Sequence, residues 1–130
     1  MNFQKIGFIG LGLIGGSIAK KIKANCPETQ IYATAHHIET IQEAYKEGII
    51  ENSNLLSMSD FSECDCIFLC APVQRNLDYL AQLKDIIKKD CYITDVGSTK
   101  TEIHEEVIRL GMEANFIGGH PMTGSEKTGI

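Results

Sequence analysis

The chain has 130 residues, of which 43% are hydrophobic and 22% charged, and its formal net charge is −5. Those values describe one soluble globular domain and exclude a basic nucleic-acid surface or a polybasic membrane patch. An anionic ligand would have to be held by local groups rather than by the overall field.

Phe3 to Ile9 is a nearly continuous apolar run, which predicts a first strand buried on both faces. A glycine cluster follows, Gly10-Leu11-Gly12-Leu13-Ile14-Gly15-Gly16-Ser17. Leu13, Ile14, Ile18 and Ile22 then recur at helical spacing, with lysines for the solvent side, and predict a helix from Leu13 to about Lys23. Gln30 to Thr34 is a second strand and Ile38 to Lys46 a second helix, with Gly48 as its C-terminal cap. Ile49-Ile50 reads as a short strand, and Ser57 to Ser62 as a polar connector containing another. Cys66 to Cys70 is a strand broken by Ala71-Pro72-Val73. Leu77, Leu80, Ala81, Leu83, Ile86 and Ile87 mark a long amphipathic helix reaching Lys89.

Cys91 to Thr94 is the next strand, with Asp95-Val96-Gly97-Ser98 as its exit loop. Thr99 and Glu102 have capping-box spacing, which predicts a helix from Lys100 to Leu110 stopped by Gly111. Asn115 to Ile117 is a last short strand, leading into Gly118-Gly119-His120-Pro121-Met122-Thr123-Gly124-Ser125-Glu126. Strands alternating with helices predict an α/β fold, a doubly wound and mostly parallel Rossmann sheet, in a single domain over residues 1–130. Ligands of such sheets sit beyond the carboxyl ends of the strands, where every unusual polar loop of this sequence falls.

The glycine cluster leaves a strand and opens a helix, the context in which G-x-G-x-x-G binds a dinucleotide. One glycine makes the tight turn, one leaves room for the pyrophosphate, and one lets helix and strand approach. The helix start offers free N–H groups to the phosphates. Gly10, Gly12, Leu13, Ile14 and Gly15 are therefore candidate cofactor residues. The fingerprint's acidic residue, which takes the ribose hydroxyls, belongs at the end of the second strand. The sequence there is Thr34-Ala35-His36-His37, with no carboxylate. That removes repulsion against a 2′-phosphate, and His36 or His37 could hydrogen-bond it, so NADP is favoured over NAD. The alternative is two histidines simply solvated in a loop.

Asp95 to Lys100 follows a strand and opens a helix, so it too is an anion-friendly terminus, although Ser98 and Thr99 also suit plain capping. His120 lies between Gly119 and Pro121 just after a strand end, and an imidazole suits proton transfer near neutrality. His104 falls in mid-helix and reads as a surface residue. Five cysteines, Cys26, Cys64, Cys66, Cys70 and Cys91, form no paired framework and fit a reducing compartment. Cys66, Cys70 and Cys91 lie in apolar runs as small hydrophobes. Cys64-Asp65-Cys66 has no partner cluster at zinc spacing, so no metal is expected. With neither a signal-peptide core at its start nor a membrane-length apolar run, the chain is expected in the cytoplasm, with no membrane or nucleic-acid partner.

Three blocks together resemble the prephenate dehydrogenase family and its arogenate dehydrogenase relatives: Gly10 to Ser17, Asp95-Val-Gly-Ser-Thr-Lys100, and Gly118-Gly-His-Pro-Met-Thr-Gly-Ser-Glu126. The first is common among oxidoreductases, while the second and third are specific to that family. The resemblance implies oxidative decarboxylation of prephenate or arogenate with hydride transfer to NAD(P)+ in tyrosine biosynthesis. It also implies roles for single residues. His120 is the catalytic histidine that takes the ring-hydroxyl proton, and Ser98 is a catalytic and substrate-binding serine on the same hydroxyl. Ser125 and Glu126 belong to the substrate side, and Ala71 and Pro72 lie against the cofactor. The resemblance covers the nucleotide-binding half alone. The chain is accordingly expected to end ahead of a helical second domain carrying a substrate arginine and a homodimer interface, and to be inactive by itself. Two other readings stand beside it: another NAD(P)-dependent hydroxyacid dehydrogenase or reductase domain, and a non-catalytic nucleotide-binding module.

Overall fold

In the computed structural model, which describes residues 3–96 and 101–117, the chain forms five parallel strands: β1 (Lys5–Ile9), β2 (Gln30–Thr34), β3 (Cys66–Leu69), β4 (Tyr92–Asp95) and β5 (Phe116–Ile117). They pair in the order β2-β1-β3-β4-β5. The connecting helices are α1 (Leu13–Asn25), α2 (Ile38–Lys46), α3 (Val73–Leu83) and α4 (Thr101–Leu110). Alternation along β1 divides the core. Ile6 and Phe8 pack with Ile31, Ala33, Ala19 of α1 and Ile41 of α2. Ile9 packs with Ile67, Leu69 and Ile93 against Leu80 and Leu83 of α3 and Ile103 and Val107 of α4. Helices thus cover both faces, which is the doubly wound Rossmann arrangement. The strand order reverses at β1, so the crevice outside the carboxyl ends of β1 and β3 is the ligand position of such sheets.

Gln30–Thr34 and Ile38–Lys46 have the expected bounds. Helix α2 ends as its glycine foretells: Gly48 has φ 75°, its N–H donates to Tyr45 O (3.0 Å), and the Ile49 N–H donates to Ala44 O (3.0 Å). Helix α4 ends the same way at Gly111, with bonds from Gly111 N to Ile108 O and from Met112 N to Val107 O.

Five expectations are corrected. Leu13 and Ile14 do not belong to the buried face of α1: they are 93% and 60% exposed, and the helix instead buries Gly15 and Ala19, with Ile18 and Ile22 half-buried. Small residues let α1 lie close on the sheet, and its first turn stands clear. Ile49 and Ile50 are buried but form no strand. Ile49 spends its N–H closing α2, and the free edge of β2 is met by the Glu51 N–H on Ile31 O (2.8 Å) and by the side chain of Asn52.

Residues Met58–Phe61 are a short 3-10 helix rather than a strand. The Asp60 carboxylate accepts the Ser57 N–H (2.8 Å), and Phe61 is fully buried beneath Gly7, where a Cβ would stand 2.5 Å from its ring. Finally, α3 stops at Leu83 instead of Lys89, because the following turns carry Ile87 into the core and Lys88 to Asp65. That carboxylate also accepts the N–H groups of Gln4 (2.8 Å) and Lys5 (3.0 Å) at the start of β1, which runs from Lys5 rather than from Phe3.

Candidate functional site

A cavity of about 570 Å³ opens at the carboxyl ends of β1, β2 and β3, with Gly10, Gly12, His36, Ala71 and Pro72 among its walls. Each fingerprint glycine has a distinct reason to be there. Gly10 has φ 88°, and a Cβ on it would meet the Ala71 backbone nitrogen at 2.8 Å. The N–H groups of Gly10 and Leu11 both donate to Thr34 O (2.9 and 2.8 Å), so the loop folds down onto the end of β2. Gly15 sits against Cys70, with 3.0 Å from a hypothetical Cβ to the sulfur, which sets the distance between α1 and β3.

Around Gly12 the nearest atom to such a Cβ is 3.8 Å away, and the residue is exposed. Space is therefore left above Gly12 itself. Helix α1 begins there with no side-chain cap and no acid in its first turn, so its N–H groups and its positive dipole end are available to an anion. A dinucleotide pyrophosphate fits these features. Leu13 and Ile14 are the exposed first residues of α1 and are not among the walls of that cavity.

The opposite rim is Ala71-Pro72. Asn76, fully buried in α3, accepts the Ala71 N–H through Oδ1 (3.2 Å) and donates from Nδ2 to Ala71 O (2.9 Å). Asn52 does the same for β2, accepting the Ala33 N–H (3.0 Å) and donating to Ala33 O (2.8 Å). Two buried asparagines thus hold the two strand ends that frame the cavity. Asn76 could have been noticed in the sequence, because it falls at the helical spacing of the buried residues Leu80 and Leu83.

His36 stands exposed just after β2, where the sequence Thr34-Ala35-His36-His37 carries no carboxylate. Arg75 of α3, which has no local sequence signal, donates from Nη1 to His36 Nδ1 (3.3 Å) and lines the same cavity. His37 packs edge-on against His36, with ring centroids 4.7 Å apart. His104 is exposed on α4 as expected.

The cysteines are all free: Cys64, Cys66 and Cys91 are buried, Cys70 half-buried and Cys26 exposed. Burial pushes the thiols of Cys64, Cys66, Cys70 and Cys91 up to about 12, and the charge of Asp95 adds to it at Cys70. They are packing residues rather than nucleophiles or ready metal ligands.

Ser98, His120, Ser125 and Glu126 lie outside the described residues. The strands that lead to them are neighbours, β4 and β5, with Ile93 opposite Phe116 and Thr94 opposite Ile117.

A family profile described as prephenate dehydrogenase, nucleotide-binding domain, matches residues 18–130. The chain belongs to that family. It is 44% identical over 131 residues to a prephenate dehydrogenase of Lactococcus lactis subsp. cremoris, covering 98% of this chain and 36% of that protein. Among solved structures it resembles a prephenate dehydrogenase of A. aeolicus in complex with hydroxyphenyl propionate and NAD+, with a TM-score of 0.83 and 30% identity. That match covers 96% of this chain and 44% of the other. It also resembles Synechocystis arogenate dehydrogenase, with a TM-score of 0.77 and 32% identity over 93% of this chain and 42% of the other. The chain thus spans less than half the length of the relatives it matches. Among the described residues, no helix is long and apolar enough to cross a membrane.

Proposed function

We propose that this chain is the cofactor-binding half of an enzyme that oxidatively decarboxylates prephenate or arogenate, with NADP+ favoured over NAD+ as hydride acceptor. The observation that supports it most is the arrangement of one carboxyl edge. The glycine loop after β1 and the Ala71-Pro72 rim after β3 frame a cavity, and the adjacent strands β4 and β5 lead into the segments holding Ser98 and His120. Gly12 and the start of α1 would hold the pyrophosphate, and Ala71 and Pro72 would bound the nicotinamide half. The missing carboxylate after β2 and the presence of His36 favour a 2′-phosphate at the adenosine end.

When bound, the nicotinamide supplies a hydride acceptor. Hydride leaves the hydroxyl-bearing ring carbon while His120 takes the hydroxyl proton and Ser98 hydrogen-bonds the same oxygen. The ring carboxylate then departs as CO2, its bonding electron pair completes the aromatic ring, and the phenolate oxygen recovers a proton. Aromatisation makes the step strongly downhill, so the protein mainly aligns the reactants and moves one proton. Ser125 and Glu126 act on the substrate side. Substrate-binding arginine and homodimer contacts come from a helical domain beyond this chain, in a cytoplasmic enzyme.

The direct test mixes the natural enzyme containing this chain with oxidised cofactor and either prephenate or arogenate, and follows the absorbance of reduced nicotinamide. Turnover of one of them supports the reading; turnover of neither overturns it.

A further inference from the structure

We propose that Arg75 is the residue that determines cofactor choice, forming with His36 a two-sided seat for the 2′-phosphate of NADP+. The proposal rests on the reading that the cavity holds the adenosine end of a dinucleotide, and it assigns the deciding charge to α3 rather than to the loop after β2.

Arg75 is a cation in search of an anion. It sits in the first turn of α3, where the helix dipole disfavours positive charge, and that turn contains no acid. Among the described residues, no carboxylate lies within ion-pair distance of it, and its hydrogen-bond partner is His36 Nδ1 at 3.3 Å. A guanidinium has only donors, so Nδ1 must be the accepting nitrogen and the ring proton sits on Nε2. Two basic side chains, 39 positions apart in sequence, therefore meet at one cavity wall that has no acidic residue among its described lining.

A phosphate resolves that arrangement. Its oxygens can take the forked N–H groups of Arg75, in the planar geometry for which arginine is suited, and the Nε2–H of His36. The ribose hydroxyl of NAD+ carries no charge at this point and gives the guanidinium no counter-ion. Leu56, Met58 and Tyr79 line the same cavity and offer apolar surface for a flat ring next to the seat. Arg75 is exposed, so replacing it removes charge without opening the core.

The experiment is a calorimetric or fluorescence titration of the protein with NADP+, NAD+ and 2′,5′-ADP, repeated for Arg75→Gln, Arg75→Lys and His36→Gln. The parent is expected to bind NADP+ more tightly than NAD+. Arg75→Gln should weaken NADP+ and 2′,5′-ADP by roughly 10- to 100-fold, the range for charge-assisted hydrogen bonds, and leave NAD+ within about twofold. Arg75→Lys should recover part of the loss, because it keeps the charge and not the fork. An Arg75→Gln protein that still binds NADP+ like the parent overturns the proposal, as does equal weakening of both dinucleotides, which would mean adenine packing. A parent that binds neither dinucleotide overturns the underlying cofactor reading as well, so the two failures are distinguishable.

Discussion

The side chain of Asn76 satisfies both polar groups of Ala71, accepting its N–H at 3.2 Å and donating to its carbonyl at 2.9 Å. Ala71 in turn is the residue against which Gly10 is pressed. A buried amide in α3 therefore sets the gap between the glycine loop and the opposite rim of the cavity.

Replacing Asn76 by Leu would keep the volume and remove both bonds, leaving two backbone groups and a shifted rim. The expected cost is about 1–3 kcal/mol for each group stranded without water, read from a urea midpoint. Dinucleotide affinity should fall as well. Asn76→Asp should keep the acceptor, lose the donor and fall between parent and Leu. Cofactor binding untouched in the Leu variant would show that the rim is held by other means.

Gly10 makes the opposite kind of prediction, one of added bulk. At φ 88°, with the Ala71 nitrogen 2.8 Å from a new Cβ, Gly10→Ala meets backbone on one side and strain on the other. The left-handed conformation alone costs about 1–3 kcal/mol for a non-glycine residue. Gly16→Ala is the matched control, since a Cβ there has nothing within 4 Å. Thermal unfolding should separate the two, and equal midpoints would contradict the clash.

Local features of this fold were legible in the sequence because local chemistry decides them. Gly48 and Gly111 end helices where left-handed residues were expected, and the glycine fingerprint occupies the turn between β1 and α1. Ile49 and Ile50 misled because an apolar pair is equally suited to a strand and to the buried exit of a helix, and only the hydrogen bond to Ala44 O distinguishes them. Leu13 and Ile14 misled because apolar spacing marks a face without saying how far the sheet extends beneath it. The pairing of Arg75 with His36 was beyond reach, since it exists only once α3 is laid beside the end of β2. Ser98 and His120 were singled out by their places in loops at strand ends, and their roles came from resemblance to a family.

Asp65 gives the fold a pH dependence. The Lys88 ammonium, followed by the N–H groups of Lys5 and Gln4, holds its carboxyl below the ordinary value of 3.8. A carboxyl that is more acidic in the folded state stabilises fully above its unfolded value, and that contribution is lost as pH falls through the folded value. Lys88 is shifted upward by the same partner, so its share is present below 10.5 and fades only in stronger alkali. Asp65→Asn should therefore be less stable than the parent from neutral pH down to about pH 5, with the difference closing below the carboxylate range. Urea midpoints measured across that range check it, and a difference that stays constant in acid would remove Asp65 from the titration.

The sharpest prediction concerns His120, whose assigned work is to take one proton as hydride leaves. In the natural enzyme containing this chain, His120→Asn keeps a polar side chain of similar reach but supplies no base. Turnover should drop by the amount a general base contributes, roughly 10²–10⁴-fold, at unchanged cofactor affinity. In the proposed function the cofactor is held by Gly12, α1 and the Ala71-Pro72 rim, so binding and turnover should separate cleanly in this variant. The inverse separation is expected for Arg75→Gln, where NADP+ affinity falls and turnover at saturating cofactor is retained. Turnover of His120→Asn within a few-fold of the parent would take the histidine out of the proton transfer and leave the edge beyond β4 and β5 without its base.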